Sequence, residues 1–394
     1  MRVVFACLPA YGHLQPMVAL ATACIAAGHD VLVATGPDMV TRARALGLDA
    51  AAVGPTRAEG EDLARRGPAA APGEPSLRRV WDHYTFVHRF TTDGARLRAA
   101  DLVPLVADWH PDVVVHDVTD FAAPLAAAVL GVPSALHSWG PPLPARLMAR
   151  AGVKAAPLWT DAGLDPPFAG GMHRGLYLDL CPPALRPDDA GDIPRVQPLR
   201  PMPAGEDWPA LPEEIDRLPY ERTVHLTLGT VANRSLGTFR SVLAATRDLR
   251  VNFVVTVGPD QDPAVLGELA PQVYAAAYLP IDLTLARCDA VIAHGGSGTM
   301  LAALRHGLPQ LIMPYDGDNV RNARLCEAAG AALQLQPRDL EHDTVCTAVS
   351  RLLDDPSLQA AAKRIRDQIR AMPPPVEVVP VLERQAAGDA TPGA

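Results

Sequence analysis

The sequence predicts an α/β protein made of two doubly wound halves, each a parallel sheet flanked by helices, and three observations predict it. The chain of 394 residues is too long for one core and fits two domains of roughly 150 to 200 residues each. Short apolar runs alternate with helical segments from residue 3 to about residue 138. The same alternation restarts after residue 220, which predicts a second parallel sheet and a cleft between two domains.

In the first half, residues 3–8 form a continuous apolar run, as a strand buried on both faces requires. Pro16 is placed to open a helix over 17–27 that Gly28 closes, and residues 31–34 supply the next strand. A helix over 38–46 stops at Gly47, followed by a strand at 50–53. Residues 54–75, rich in Ala, Gly, Pro and Arg, read as a surface loop, and a long helix over about 77–107 follows. Strands at 112–116 and 134–138 flank a helix over 121–130. From 141 to 212 prolines accumulate and periodicity weakens, which predicts short helices and then a linker near 200–215.

In the second half, 224–228, 253–257, 290–294, 310–313 and 332–334 are the expected strands. Helices over 238–247, 299–306 and 321–329 lie between them. The expected domains are 1–205 and 216–372, with a tail over 373–394 that packs back on the N-terminal domain and then frays.

A formal charge of −9 and the lack of any Lys/Arg run argue against a nucleic-acid partner. The six cysteines contain no C-x-x-C pair, so neither zinc nor a disulfide framework is indicated, and reduced thiols in a cytoplasm are the simpler expectation. No leader with a cleavage site and no run of about 18 apolar residues is present, so neither export nor a membrane span is expected. A homodimer is compatible with the sequence.

The most informative segment is His294-Gly295-Gly296-Ser297-Gly298-Thr299, which leaves a buried strand and opens a helix. Glycines there let the backbone approach a ligand, and the free N–H groups and dipole of the helix favour a diphosphate. A glycine turn between strand and helix also forms without any ligand. No Lys follows the last glycine, so this is not a Walker A loop. After the next strand, Asp318 and Asn319 sit in a polar turn that opens a helix, where they can reach sugar hydroxyls. Capping the helix would equally suit Asp318.

In these segments the chain resembles glycosyltransferase family 1, the GT-B fold enzymes that decorate small molecules from nucleotide sugars. The resemblance rests on His294 to Thr299, Gly307-Leu308-Pro309, Pro314 and Asp318 to Ala323. It implies that His294 and the amides of Gly295, Gly296, Ser297, Gly298 and Thr299 hold the diphosphate, and that Asp318 and Asn319 hold the sugar. Asn319 replaces the family's usual Gln. Thr230, after Leu228-Gly229, resembles a phosphate-contacting strand end. Tyr278-Leu279-Pro280 resembles the aromatic segment where the ring stacks on the nucleobase and the next backbone group pairs with it. Plant members carry a ribose-binding Glu where Ala302 stands here, so a dTDP-deoxysugar is expected over UDP-glucose. The resemblance is to bacterial enzymes that tailor antibiotics.

In the N-terminal half the matching feature is Gly12-His13-Leu14-Gln15-Pro16, between the first strand and the first helix. A histidine at a helix N-terminus tends to be held neutral, as a general base requires. A Gly-His pair also caps helices. Asp117, at a strand end, occupies the place of the family's catalytic Asp and would orient His13. Asp120 reads as the N-cap of the following helix.

The resemblance further implies inverting transfer without a metal or any other cofactor. The nucleotide sugar serves as co-substrate and a hydrophobic natural-product aglycone as acceptor. Trp81, Tyr84, Phe86 and His88, with His137 and Trp139, are the candidate acceptor contacts, although Trp81, Tyr84 and His88 also fit one buried helical stripe. A UDP-N-acetylglucosamine 2-epimerase-like enzyme and a non-catalytic nucleotide-sugar-binding subunit are the alternative readings.

Overall fold

In the computed structural model the described residues are 1–65, 86–203, 209–229, 236–259, 261–315, 317–336 and 338–388. They form two units, 1–181 with 186–205 and 372–394, and 182–185 with 206–371.

The first unit carries seven strands: β1 (Arg2–Ala6), β2 (Asp30–Thr35), β3 (Ala50–Ala52), β4 (Val113–Asp117), β5 (Ser134–His137), β6 (Leu176–Asp179) and β7 (Val196–Pro198). They pair in parallel in the order β3-β2-β1-β4-β5-β6-β7. Val3, Val4 and Phe5 of β1 are at most 1% exposed, which is why the strand reads as one unbroken apolar run. Val4, Val114 and Leu136 meet Phe121, Trp159 and Met172 on one face. The helix Pro375–Ala386 packs on the first helix through buried Val378, Val379 and Leu382, and Gln385 donates to the Ser134 carbonyl at 3.1 Å.

The second unit carries β8 (Arg222–Thr227), β9 (Val251–Thr256), β10 (Val273–Ala276), β11 (Ala290–Ala293), β12 (Gln310–Ile312) and β13 (Ala332–Gln334), parallel in the order β10-β9-β8-β11-β12-β13. Val224, Leu226, Val255, Ile292 and Leu311 form its core with Phe239 and Val349. In each sheet the strand order reverses once, between β1 and β4 and between β8 and β11. Ligands of open parallel sheets bind at the carboxyl ends of strands beside such a reversal.

Several elements depart from the sequence expectation. The first helix spans Tyr11–Ala26, so Pro16 lies inside it and does not open it; lacking an N–H, Pro16 leaves the Gly12 carbonyl without its helical partner. The long helix expected over 77–107 is two helices where described, Phe86–Thr91 and Asp93–Trp109, separated at Thr92. Residues 141–212 hold a 17-residue helix, Ala145–Asp161, together with β6 and β7, and not short helices alone.

Asp120 does not cap the helix Ala122–Val129 through its side chain. Its Oδ2 accepts from Arg98 Nε at 2.8 Å, and both groups are at most 2% exposed. Arg98 also donates to the carbonyls of Cys7, Ala34 and Val53 at 2.9 to 3.0 Å, so one guanidinium joins the chain just beyond β1 and β3 to the end of β2. Arg98→Ala strands the Asp120 charge in the core and is expected to lower the unfolding free energy by about 3–5 kcal/mol. Urea titration checks this, and a loss below about 1 kcal/mol contradicts it.

Candidate functional site

In the first sheet, pairing of Ala6 with His116 puts Asp117 level with Cys7, beside the loop that leads into the first helix. The Leu8 amide then donates to Asp117 Oδ2 at 3.0 Å. His13, in the first turn of that helix, brings Nδ1 to 3.1 Å from the same Oδ2. Thr119 completes the cluster. Its N–H and hydroxyl donate to Asp117 Oδ1 at 2.6 and 2.5 Å, and the hydroxyl oxygen lies 3.1 Å from His13 Nδ1.

Burial pushes the Asp117 carboxyl up, but the charge and hydrogen bond of His13, with the donors from Thr119 and Leu8, outweigh it. They hold the group well below the usual carboxylate range, so Asp117 is ionised at neutral pH. The His13 ring meets Trp139 edge-on at 4.8 Å between centroids and Phe90 at 6.3 Å. A pocket open to solvent lies against this ring, lined by apolar Pro9, Ala10, Phe90 and Phe121 and by the charged side chains of Arg57, Glu61 and Arg89.

Among the expected acceptor contacts, Trp139 thus adjoins His13. Phe86 is buried in the core and packs on Phe90 at 5.1 Å, while His88 is half-buried on the same short helix. His137 is 1% exposed, with Nδ1 2.7 Å from the Ser138 carbonyl. Trp81 and Tyr84 lie outside the described residues, as does Thr230.

In the second sheet Ala293 pairs with Thr227 and Ile312, so the loops after β8, β11 and β12 emerge side by side. His294 follows β11, Gly296 caps the helix Ser297–His306, and Gly298 and Thr299 fall in its first turn. The His294 ring is wedged between backbones. A Cβ on Gly229 would collide with its Cε1, and one on Gly296 would stand 2.5 Å from Nε2. Gly295 has φ +90° and admits no Cβ because Ile312 and the Asn319 carbonyl abut it. Burial pushes the His294 imidazole down to about 4, so the ring is neutral at pH 7.

Asn322, to which the sequence assigned no separate role, holds this turn together. Its amide donates to the Gly295 carbonyl at 2.9 Å and the Ser297 hydroxyl at 3.0 Å, while that hydroxyl donates to Asp318 Oδ2 at 3.3 Å. Asp318 is the first residue of the helix Asp318–Ala328, and Asn319 is buried behind it against Gly295. Tyr278 follows β10 with its side chain exposed, whereas Leu279 is buried against Ile215 and Val254. Among the described residues no group of three or more His, Cys, Asp or Glu is placed to hold a metal, and no helix is long and apolar enough to cross a membrane.

Two parallel-sheet α/β units, each with a polar site at its strand-order reversal, belong to a glycosyltransferase of the GT-B class. The chain is a member of the Erythromycin biosynthesis protein CIII-like family of bacterial natural-product glycosyltransferases. It matches the family's N-terminal domain over residues 22–229 and its C-terminal domain over residues 240–385. It is 30% identical to the 3-alpha-mycarosylerythronolide B desosaminyl transferase of Saccharopolyspora erythraea, covering 98% of this chain and 99% of that one. It is 34% identical to the L-demethylnoviosyl transferase of Streptomyces niveus, covering 96% of each. Among solved structures it resembles the spinosyn rhamnosyltransferase SpnG, with a TM-score of 0.81, 30% identity, and coverage of 97% of this chain and all of that one. SpnG has also been solved with the spinosyn aglycone and with thymidine diphosphate.

Burial holds three imidazoles, those of His137, His225 and His294, down at about 4 against an ordinary value of 6.5. Folded-state values below unfolded ones mean that the unfolded chain binds more protons as pH falls from 6.5 toward 4. Their contribution is complete above pH 6.5 and is lost across that window. Melting at pH 5 is expected roughly 5 °C or more below melting at pH 7.5, and equal melting temperatures contradict it.

Proposed function

We propose that this glycosyltransferase moves a deoxysugar from a dTDP-sugar to a hydroxyl of a hydrophobic natural-product aglycone, with inversion at the anomeric carbon and without a metal. The observation that carries the reading is the His13 imidazole held at Nδ1 by an ionised, buried Asp117. This leaves Nε2 to accept the acceptor's hydroxyl proton while the oxygen attacks the anomeric carbon and the bond to the diphosphate breaks. The imidazolium that forms is stabilised by Asp117, which stays ionised. The apolar side chains beside His13, those of Pro9, Phe90 and Phe121 with Trp139 against the ring, suit a hydrophobic acceptor.

On the donor side, the amides of Gly295, Gly296, Ser297, Gly298 and Thr299 at the helix N-terminus, with neutral His294 and with Thr230, would take the charge of the departing diphosphate. Asp318 and Asn319 would bind the sugar, and Tyr278 would stack on the base while the Leu279 backbone pairs with it. Exposure of the Tyr278 ring supports that assignment. Ala302 offers the ribose no carboxylate, and SpnG's complex with thymidine diphosphate supports the same nucleotide here. The named relatives transfer sugars, which favours transfer over epimerisation.

His13→Ala and Asp117→Ala are each expected to lower kcat by roughly 10² to 10⁴ while dTDP affinity stays within a factor of about two. Product formation followed by mass spectrometry measures this, and full activity in His13→Ala refutes the base assignment. In calorimetric titration dTDP should bind more tightly than UDP; the opposite order would remove the case for a deoxyribonucleotide donor.

A further inference from the structure

Thr119 has a role in the His13 cluster that neither the motif nor the relatives assign. It sits in the turn leaving β4, two residues past Asp117, and is 1% exposed. Its backbone and hydroxyl both engage Asp117 Oδ1, while Oδ2 takes the Leu8 amide and faces His13. Counting protons fixes the rest. A carboxylate only accepts, whereas a threonine hydroxyl has one proton to give and lone pairs to receive with. Lying 2.5 Å from Asp117 Oδ1, the hydroxyl commits its proton there and turns a lone pair toward His13 Nδ1 at 3.1 Å.

Both neighbours of His13 Nδ1 are then acceptors, and only a protonated Nδ1 satisfies them. From this geometry we propose that Thr119 is a positioning residue that locks His13 in the Nδ1–H tautomer and so reserves Nε2 as the base. The proposal rests on the reading of His13 as that base. When Nε2 takes the acceptor's proton, Nδ1–H stays shared between Asp117 Oδ2 and Thr119 Oγ1, and no proton moves on to either. Without the hydroxyl, Asp117 Oδ1 loses a donor and the ring loses one of its two anchors, so ring orientation and tautomer both loosen.

Thr119→Val keeps the branched shape and removes the hydroxyl, whereas Thr119→Ser keeps it. Thr119→Val is expected to lower kcat roughly ten-fold with KM for the dTDP-sugar unchanged, and Thr119→Ser to retain most of the rate. In the His13→Ala background Thr119→Val should cost nothing further, because its effect runs through the ring. Nitrogen NMR of histidine-labelled wild-type enzyme should show His13 protonated at Nδ1, and Thr119→Val should show mixed tautomers. An Nε2–H tautomer in the wild type overturns the proposal without need of any variant. So does a ten-fold loss that persists in the His13→Ala background. Full activity in Thr119→Val with an inactive His13→Ala removes only the role of Thr119, whereas full activity in His13→Ala removes the base reading itself.

Discussion

The pairing of β1 with β4 is the constraint from which the first domain's chemistry follows. A parallel sheet whose order reverses there must send the loop after β1 and the turn after β4 out of the same edge, side by side. His13 and Asp117, 104 residues apart in sequence, meet for that reason and not through any local motif. The same reversal between β8 and β11 brings Gly229 against the His294 ring in the second domain.

Buried charge makes this arrangement costly to hold and correspondingly specific. Asp117 is a desolvated carboxylate kept ionised by donors on every side. Asp120, three residues on, is matched by Arg98, which at the same time takes carbonyls beside three neighbouring strands. Two adjacent carboxylates therefore serve different ends. One holds an imidazole, and the other fixes the strand ends that position it.

Most strands were legible because double-sided burial writes itself as an apolar run, as in Val3-Val4-Phe5 and Val291-Ile292. β10 was missed because its four residues are all half-buried, β7 because it is an edge strand ending in proline, and β6, though fully buried, because it is four residues long and lies in the proline-rich stretch. The first helix starts at Tyr11 without any side-chain cap, so Pro16 offered the only visible signal and misled. Pro157 within Ala145–Asp161 likewise disguised a full helix. His13, Asp117 and the glycine turn were singled out in the sequence by the family resemblance together with their places at strand ends. Arg98, Thr119 and Asn322 were not, since each acts through partners that only the folded chain brings near. Asp120 shows the same limit: local spacing suggested a helix cap, whereas a partner 22 residues upstream claims its side chain.

A ternary crystal structure with dTDP and a turned-over aglycone tests the chemistry most directly, through the distance from His13 Nε2 to the acceptor oxygen. A glycosylated hydroxyl position within about 3.2 Å of Nε2 is the expected result. An acceptor oxygen seated beside another titratable side chain, with His13 Nε2 turned into the protein, would contradict it.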